Sequence, residues 1–322
     1  MHAIAGKGGK KMDISFAART KAELCRFPAG KKCCEKAEAY GFFVFGKSFS
    51  PRGISVATES APAARRAAQQ IAETAGVIAQ SSVGVLRRGA GQQMVTVSVE
   101  AGEECLRALS FFGHGEGEVT LHIQRSNLEE ECCFSAFLRG AFLSCGTITQ
   151  PEKDYHLEFS VPYKNLARDL ALLLEETGLE ILPGVASRRG NYVVYVNGAE
   201  EVSDLLAYMG ASGAALELIQ AKMVKEVRNN VNRKMNFESA NQDKTADAAA
   251  RQVLAIQKIM ENGKFSSLPE ELQELARLRC EFPEFSLREL GERLSPPISR
   301  SGVNHRLKKL LLVAEGMEEP KP

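Results

Sequence analysis

The chain has 322 residues, 44% hydrophobic and 25% charged, with a formal net charge of +1. At about 100–200 residues per domain, that length holds two or three domains, and the composition excludes a disordered or collagen-like chain. No run approaches 18 apolar residues, which excludes a spanning helix, and the near-neutral total means that any nucleic-acid footprint must come from local charge clustering.

Residues 1–11 carry Gly and Lys without an apolar core, so they are expected to be an extension upstream of Met12 rather than a signal peptide. Residues 1–30 hold this extension and a first helix. There are eight cysteines, and none forms C-x-x-C; Cys33-Cys34 and Cys132-Cys133 are adjacent pairs. Adjacent thiols diverge on a helix or strand and suit a tetrahedral zinc site poorly. The expectation is reduced thiols in a cytoplasmic protein, with no metal and no cofactor.

The adjacent cysteines open an internal repeat. With Cys33-Cys34 placed on Cys132-Cys133, Ala37 falls on Ala136, Gly41 on Gly140 and Phe43 on Phe142. Further along, Ile54-Ser55-Val56 falls on Leu157-Glu158-Phe159, Arg87-Arg88-Gly89 on Arg188-Arg189-Gly190, and Val97 and Val99 on Val194 and Val196. The repeats span about 33–113 and 132–210. In each, the pattern predicts a short apolar helix (36–45; 134–144) and an extended pair (48–58; 147–161). A longer amphipathic helix (63–75; 163–177), a hairpin turning at Arg-Arg-Gly and a closing helix (103–112; 200–209) follow. The order is αββαββα, twice. Gly41 and Gly140 lie mid-helix, where Gly is unfavourable by about 1 kcal/mol against Ala; a close approach of two backbones would compensate.

The segment 221–234 is basic, with Lys222, Lys225, Arg228, Arg233 and Lys234 against Glu226. The Asn-rich run 229–232 is expected to loosen it into a hinge, so that 226–263 forms a basic helical linker with a second helix over 246–260. A helical domain over 264–316 and a tail at 317–322 complete the chain. Its helices are expected at 269–280, opened by a Ser267/Glu270 capping pair, at 286–294, opened by Ser286-x-x-Glu289, and at 300–312. The last two, separated by a Ser295–Ser299 break longer than the usual turn, form a helix-turn-helix pattern. Between 286 and 312 there are six Lys/Arg and two acids, a local charge of +4. Arg300, Ser301, Asn304, His305, Arg306, Lys308 and Lys309 are the candidate DNA-contacting residues: cations neutralise phosphates, and Asn and Arg pair bidentately with purine edges.

Two resemblances follow. Leu138 to Gly146 (LRGAFLSCG) resembles the LAGLIDADG signature of homing endonucleases, and Ala39 to Lys47 is a second, poorer copy. The resemblance implies an α+β pseudo-dimer over 31–225 with the two signature helices at its centre. In that family an acidic residue near each helix end holds the metal that activates water. Here those positions are Cys145 and Gly46, and magnesium needs hard oxygen ligands. The expectation is therefore that the chain is not an enzyme, with a metal-dependent DNA endonuclease as the alternative. Strand faces bind DNA in active relatives, which makes Arg87, Arg88, Arg188 and Arg189 secondary DNA-contact candidates; a protein-interaction scaffold is the other reading.

The tail carries the second resemblance. Asn241-Gln242-Asp243-Lys244-Thr245, Ser267-Leu268-Pro269, Leu287-x-x-Leu290-Gly291, Leu294-Ser295-Pro296-Pro297 and Ser301-Gly302-Val303-Asn304-His305-Arg306-Leu307 are similar to the WhiA family, over about 15–314. The resemblance implies a duplicated LAGLIDADG-like domain followed by an all-α helix-turn-helix that reads double-stranded DNA. It further implies a transcriptional regulator of sporulation or of cell division and chromosome segregation, associated with the nucleoid. A WhiB-like iron–sulfur protein is an implied partner.

Overall fold

The computed structural model describes residues 14–316 except 29, 86–92 and 119. It divides into two compact units, residues 1–226 and 227–322.

The first unit begins with α1 (Phe16–Leu24). Two copies of one element order follow. The first is α2 (Lys32–Val44), β1 (Ser48–Ser50), β2 (Gly53–Thr58), α3 (Ala61–Ala75), β3 (Gln80–Val85), β4 (Gln93–Val99) and α4 (Glu103–Phe111). The second is α5 (Glu131–Cys145), β5 (Gly146–Ile148), β6 (His156–Val161), α6 (Lys164–Glu175), β7 (Gly184–Arg188), β8 (Asn191–Asn197) and α7 (Ala199–Met209). The predicted αββαββα duplication is therefore present. Each copy forms a four-stranded antiparallel sheet, in the orders β1-β2-β4-β3 and β5-β6-β8-β7. The registers agree with the sequence correspondence: Val56 pairs with Val97 and Ile54 with Val99, as Phe159 pairs with Val194 and Leu157 with Val196. These residues are buried, because period-two alternation puts every second side chain on the core face.

α2 and α5 lie side by side at the centre, with Tyr40, Phe42, Phe43, Phe137, Leu138 and Phe142 fully buried. A Cβ on Gly41 would stand 2.2 Å from the Phe137 carbonyl oxygen, and one on Gly140 2.1 Å from that of Glu38. The mid-helix glycines thus sit where the two backbones touch. Beside them Glu38 is fully buried. Its carboxylate accepts from Arg139 Nε at 2.9 Å and from Arg66 Nε and Nη2 at 2.5 and 2.9 Å. Arg139 Nη1 also donates to the Met209 carbonyl at 2.8 Å. A carboxylate from the first copy is therefore tied to a cation from the second.

α8 runs without interruption from Ser212 to Glu261. The expected hinge at 229–232 is absent: those asparagines lie inside the helix. Each costs at most about 0.7 kcal/mol in helix propensity, and no proline interrupts the run.

In the second unit, the end of α8 packs with α9 (Glu270–Glu281), α10 (Leu287–Arg293) and α11 (Arg300–Glu315). Their core is Ile256, Ile259, Leu272, Leu275, Leu290, Leu294, Val303, Leu307 and Leu310. The Ser267/Glu270 capping pair does not form; Pro269 occupies the N-cap of α9, with no side-chain cap bond. The Ser286/Glu289 capping box does form, with Ser286 Oγ accepting from the Glu289 amide and Glu289 accepting from the Ser286 amide. Ser286→Ala is expected to destabilise the helical unit by roughly 1 kcal/mol, read as a lower denaturation midpoint; an unchanged midpoint refutes the role of the cap.

Candidate nucleic-acid interface

α10 and α11 are joined by a turn that folds back on α10. The Ile298 amide donates to the Gly291 carbonyl at 3.0 Å. A Cβ on Gly291 would stand 2.4 Å from the Ile298 carbonyl oxygen, so glycine there allows the turn to close on the helix. Ser299 caps α11 by accepting from the Gly302 amide at 3.3 Å. Val303, Leu307, Leu310 and Ala314 point into the core. The helical period then forces Arg300, Ser301, Asn304, His305, Lys308 and Lys309 outward, and all six are exposed. Arg306 is placed differently: its guanidinium pairs with Glu271 of α9 at 2.7 Å and its side chain is only 20% exposed. The exposed face of α11 therefore carries Arg300, Lys308 and Lys309 with Asn304 among them, and no acid lies between 300 and 314; Glu271 of α9 borders it beside Lys309 and His305. Such a face offers phosphate neutralisation and purine-edge pairing together.

At the far ends of the central helices, neither signature position is acidic. Cys145 closes α5. Burial pushes its thiol up to about 12 against the opposing pull of Lys21, so it is neutral at pH 7. The Lys21 amine stands close by, its pKa lowered by burial, donating to the Leu143 carbonyl at 3.3 Å. Gly46 lies against the Ser55 carbonyl, where a Cβ would be 2.5 Å away.

Residues 231–314 match the family model described as the WhiA C-terminal HTH domain, and residues 134–228 that described as the WhiA LAGLIDADG-like domain. The chain is 37% identical over 310 residues to the probable cell division protein WhiA of Heliobacterium modesticaldum, covering 94% of this chain and 96% of that protein. It is 38% identical over 312 residues to the protein of the same name from Clostridium perfringens, covering 94% and 98%. The chain belongs to the WhiA family. The crystal structure of full-length DUF199/WhiA from Thermatoga maritima superposes with a TM-score of 0.58 at 26% identity, covering 95% of this chain and all of that one. A degenerate LAGLIDADG-like domain plus a helix-turn-helix is thus the architecture of the family and of this chain.

Within that architecture the sheets present a distinctive surface. The face of the first sheet turned away from the core is made of Ser48, Ser55, Ala57, Ser82, Thr96 and Ser98, with Gln80 at its edge. No charged side chain of these strands lies on it among the described residues. On the second sheet Arg188 reaches across to Glu158, with both carboxylate oxygens at 3.1 Å. Arg189 is exposed in the β7–β8 turn, at φ 51°. Arg87 and Arg88 lie outside the described residues.

The cysteine pairs are where the sequence reading needs correction. Both central helices begin earlier than predicted, so Cys33-Cys34 and Cys132-Cys133 fall in their first turns. The two helices run in the same direction, which brings both pairs to one end of the interface. All four Sγ atoms lie within 4.8 Å of one another. Contrary to the expected divergence, the two thiols within each pair also lie within 4.8 Å of each other, and the packing of one helix on the other brings the two pairs together.

Proposed function

We propose that this WhiA-family chain is a sequence-specific, non-catalytic DNA-binding transcriptional regulator that acts in cell division or sporulation and chromosome segregation from the nucleoid. The observation that carries the reading is the exposed face of α11, where Arg300, Asn304, Lys308 and Lys309 stand on a helix with no acid between 300 and 314. Arg300 and Asn304 are assigned to base edges; Lys308 and Lys309 to phosphates; Ser301 and His305 to the rim of the same face. Arg306 is proposed as a phosphate contact at the edge of the same face, where it also pairs with the exposed Glu271 of α9.

The absence of catalysis is inferred from the helix ends. A neutral thiol at Cys145, a bare backbone at Gly46 and the nearby Lys21 nitrogen offer no hard-oxygen cage for magnesium. The uncharged face of the first sheet supports a role in protein contact for the double domain, because duplex binding needs clustered cations. A WhiB-like iron–sulfur protein is the proposed partner. Arg87, Arg88 and Arg189 remain proposed as secondary phosphate contacts, whereas Arg188 is already engaged by Glu158.

The test is the affinity of Arg300→Ala/Asn304→Ala for a site recovered by genome-wide chromatin pull-down. Each lost base contact is expected to weaken specific binding by about 1–3 kcal/mol, or roughly fivefold to more than a hundredfold. Lys308→Ala is expected to weaken all sequences alike and to flatten the salt dependence. Operator affinity unchanged in the double variant defeats the proposal.

A further inference from the structure

We propose that Cys33, Cys34, Cys132 and Cys133 together bind one four-coordinate soft or borderline metal cation of the zinc class, which clamps the N-terminal ends of α2 and α5.

Geometry is the first support. A Zn–S bond of about 2.3 Å puts tetrahedral sulfurs about 3.8 Å apart. The four Sγ atoms, all within 4.8 Å of one another, need only small side-chain rotations to reach that spacing. A single ion fits such a cluster; an iron–sulfur cube, which interposes its own iron and sulfide between the thiolates, needs a wider one. The donor set is the second support. Four thiolates with no carboxylate favour zinc-class ions over magnesium or calcium.

The protein builds this site from both halves of the duplication. Gly41 and Gly140 bring the two helix backbones into contact, and each helix contributes the second and third residues of its first turn. The positive ends of both helix dipoles lie there; burial nevertheless raises Cys133 and pushes Cys34 up to about 12, so these two thiols are protonated until a metal displaces the proton. Cys34 and Cys133 are buried, while Cys33 and Cys132 reach solvent and provide the route of entry. The Cys34 thiol already donates to the Cys132 carbonyl at 3.7 Å, linking the two turns before any ion is bound. Binding a dication exchanges the four thiol protons for the metal and releases them to solvent.

The cluster lies at the opposite end of α5 from the degenerate position at Cys145. Cys145 lies twelve positions beyond Cys133, about 18 Å along a helix. The cluster is therefore independent of the endonuclease metal positions and of the DNA-binding reading above, and its role is structural.

The experiment uses the untagged full-length chain, expressed with zinc and purified anaerobically. Elemental analysis is expected to find about one zinc per chain in the wild type, loss of it in Cys33→Ser/Cys132→Ser, and retention in Cys280→Ser. Chelation is expected to lower the Tm of the wild type and to leave that of the double variant unmoved. If the double variant fails to fold, cobalt(II) loading of the wild type decides: a tetrahedral tetrathiolate gives strong sulfur-to-cobalt charge-transfer absorption. Equal zinc content in the wild type and the folded double variant overturns the proposal. So does a cobalt spectrum without thiolate ligation, or a disulfide joining α2 to α5 in the freshly isolated chain.

Discussion

Replacing Glu38 by Ala is expected to destabilise the first unit by about 3–5 kcal/mol, because it strands a buried cation. The Arg139 side chain is 3% exposed and that of Arg66 14%. Without the carboxylate, Arg139 keeps the Met209 carbonyl, and Arg66 keeps those of Cys25 and Phe27. Neither keeps a counter-charge on these bonds. Burial alone would raise the Glu38 carboxyl, but the bonds and charges of Arg66 and Arg139 outweigh it and hold the group below the usual glutamate range. The sign of the pH dependence follows. A carboxyl depressed in the folded state contributes stability that is complete above its unfolded value, about 4.3, and is lost as pH falls from there through its folded value. Urea midpoints across the acid range are expected to fall more steeply for the wild type than for Glu38→Ala. Parallel curves reject the account, as does a loss below 1 kcal/mol at pH 7.

Gly140→Ala is the second severe change, and two effects oppose each other there. Helix propensity favours Ala over Gly by about 1 kcal/mol. Overpacking typically costs about 1–3 kcal/mol, and more where nothing can yield. The new Cβ would meet the Glu38 carbonyl oxygen at 2.1 Å and the Phe42 amide nitrogen at 2.9 Å. Both are backbone atoms of a buried helix, so no rotamer change relieves the clash and the helices must separate. Separation also pulls Arg139 from Glu38. The net result is expected to be a loss of about 2 kcal/mol or more, seen as a lower thermal midpoint. A variant as stable as the wild type, or more so, would falsify the close approach of α2 and α5. Gly41→Ala is expected to behave alike, because its Cβ would meet the Phe137 carbonyl oxygen at 2.2 Å.

The duplication and its strand registers were legible because each rests on a local rule. Alternation placed Val97 and Val194 on core faces, and the spacing of Val303, Leu307 and Leu310 oriented α11. That orientation also exposed Arg300, Asn304 and Lys308. For Arg306, helix periodicity ranks faces only relative to the core. It does not reveal that Glu271 of another helix stands opposite. The misplaced hinge has a related origin. Asparagine propensity is a weak term, and the long uninterrupted run on either side of 229–232 outweighs it.

Chemistry within one element, or between identical elements, could be read from the order of residues: two copies of one unit, non-acidic residues at Cys145 and Gly46, and a cationic last helix. Chemistry between elements could not. The Glu38–Arg139 bond joins residues 101 apart, and the thiols that converge at the head of α2 and α5 come from turns 99 positions apart. Side chains on one helix obey its 3.6-residue period, whereas partners on two helices are chosen by how closely the backbones pack. At this interface two glycines set that distance.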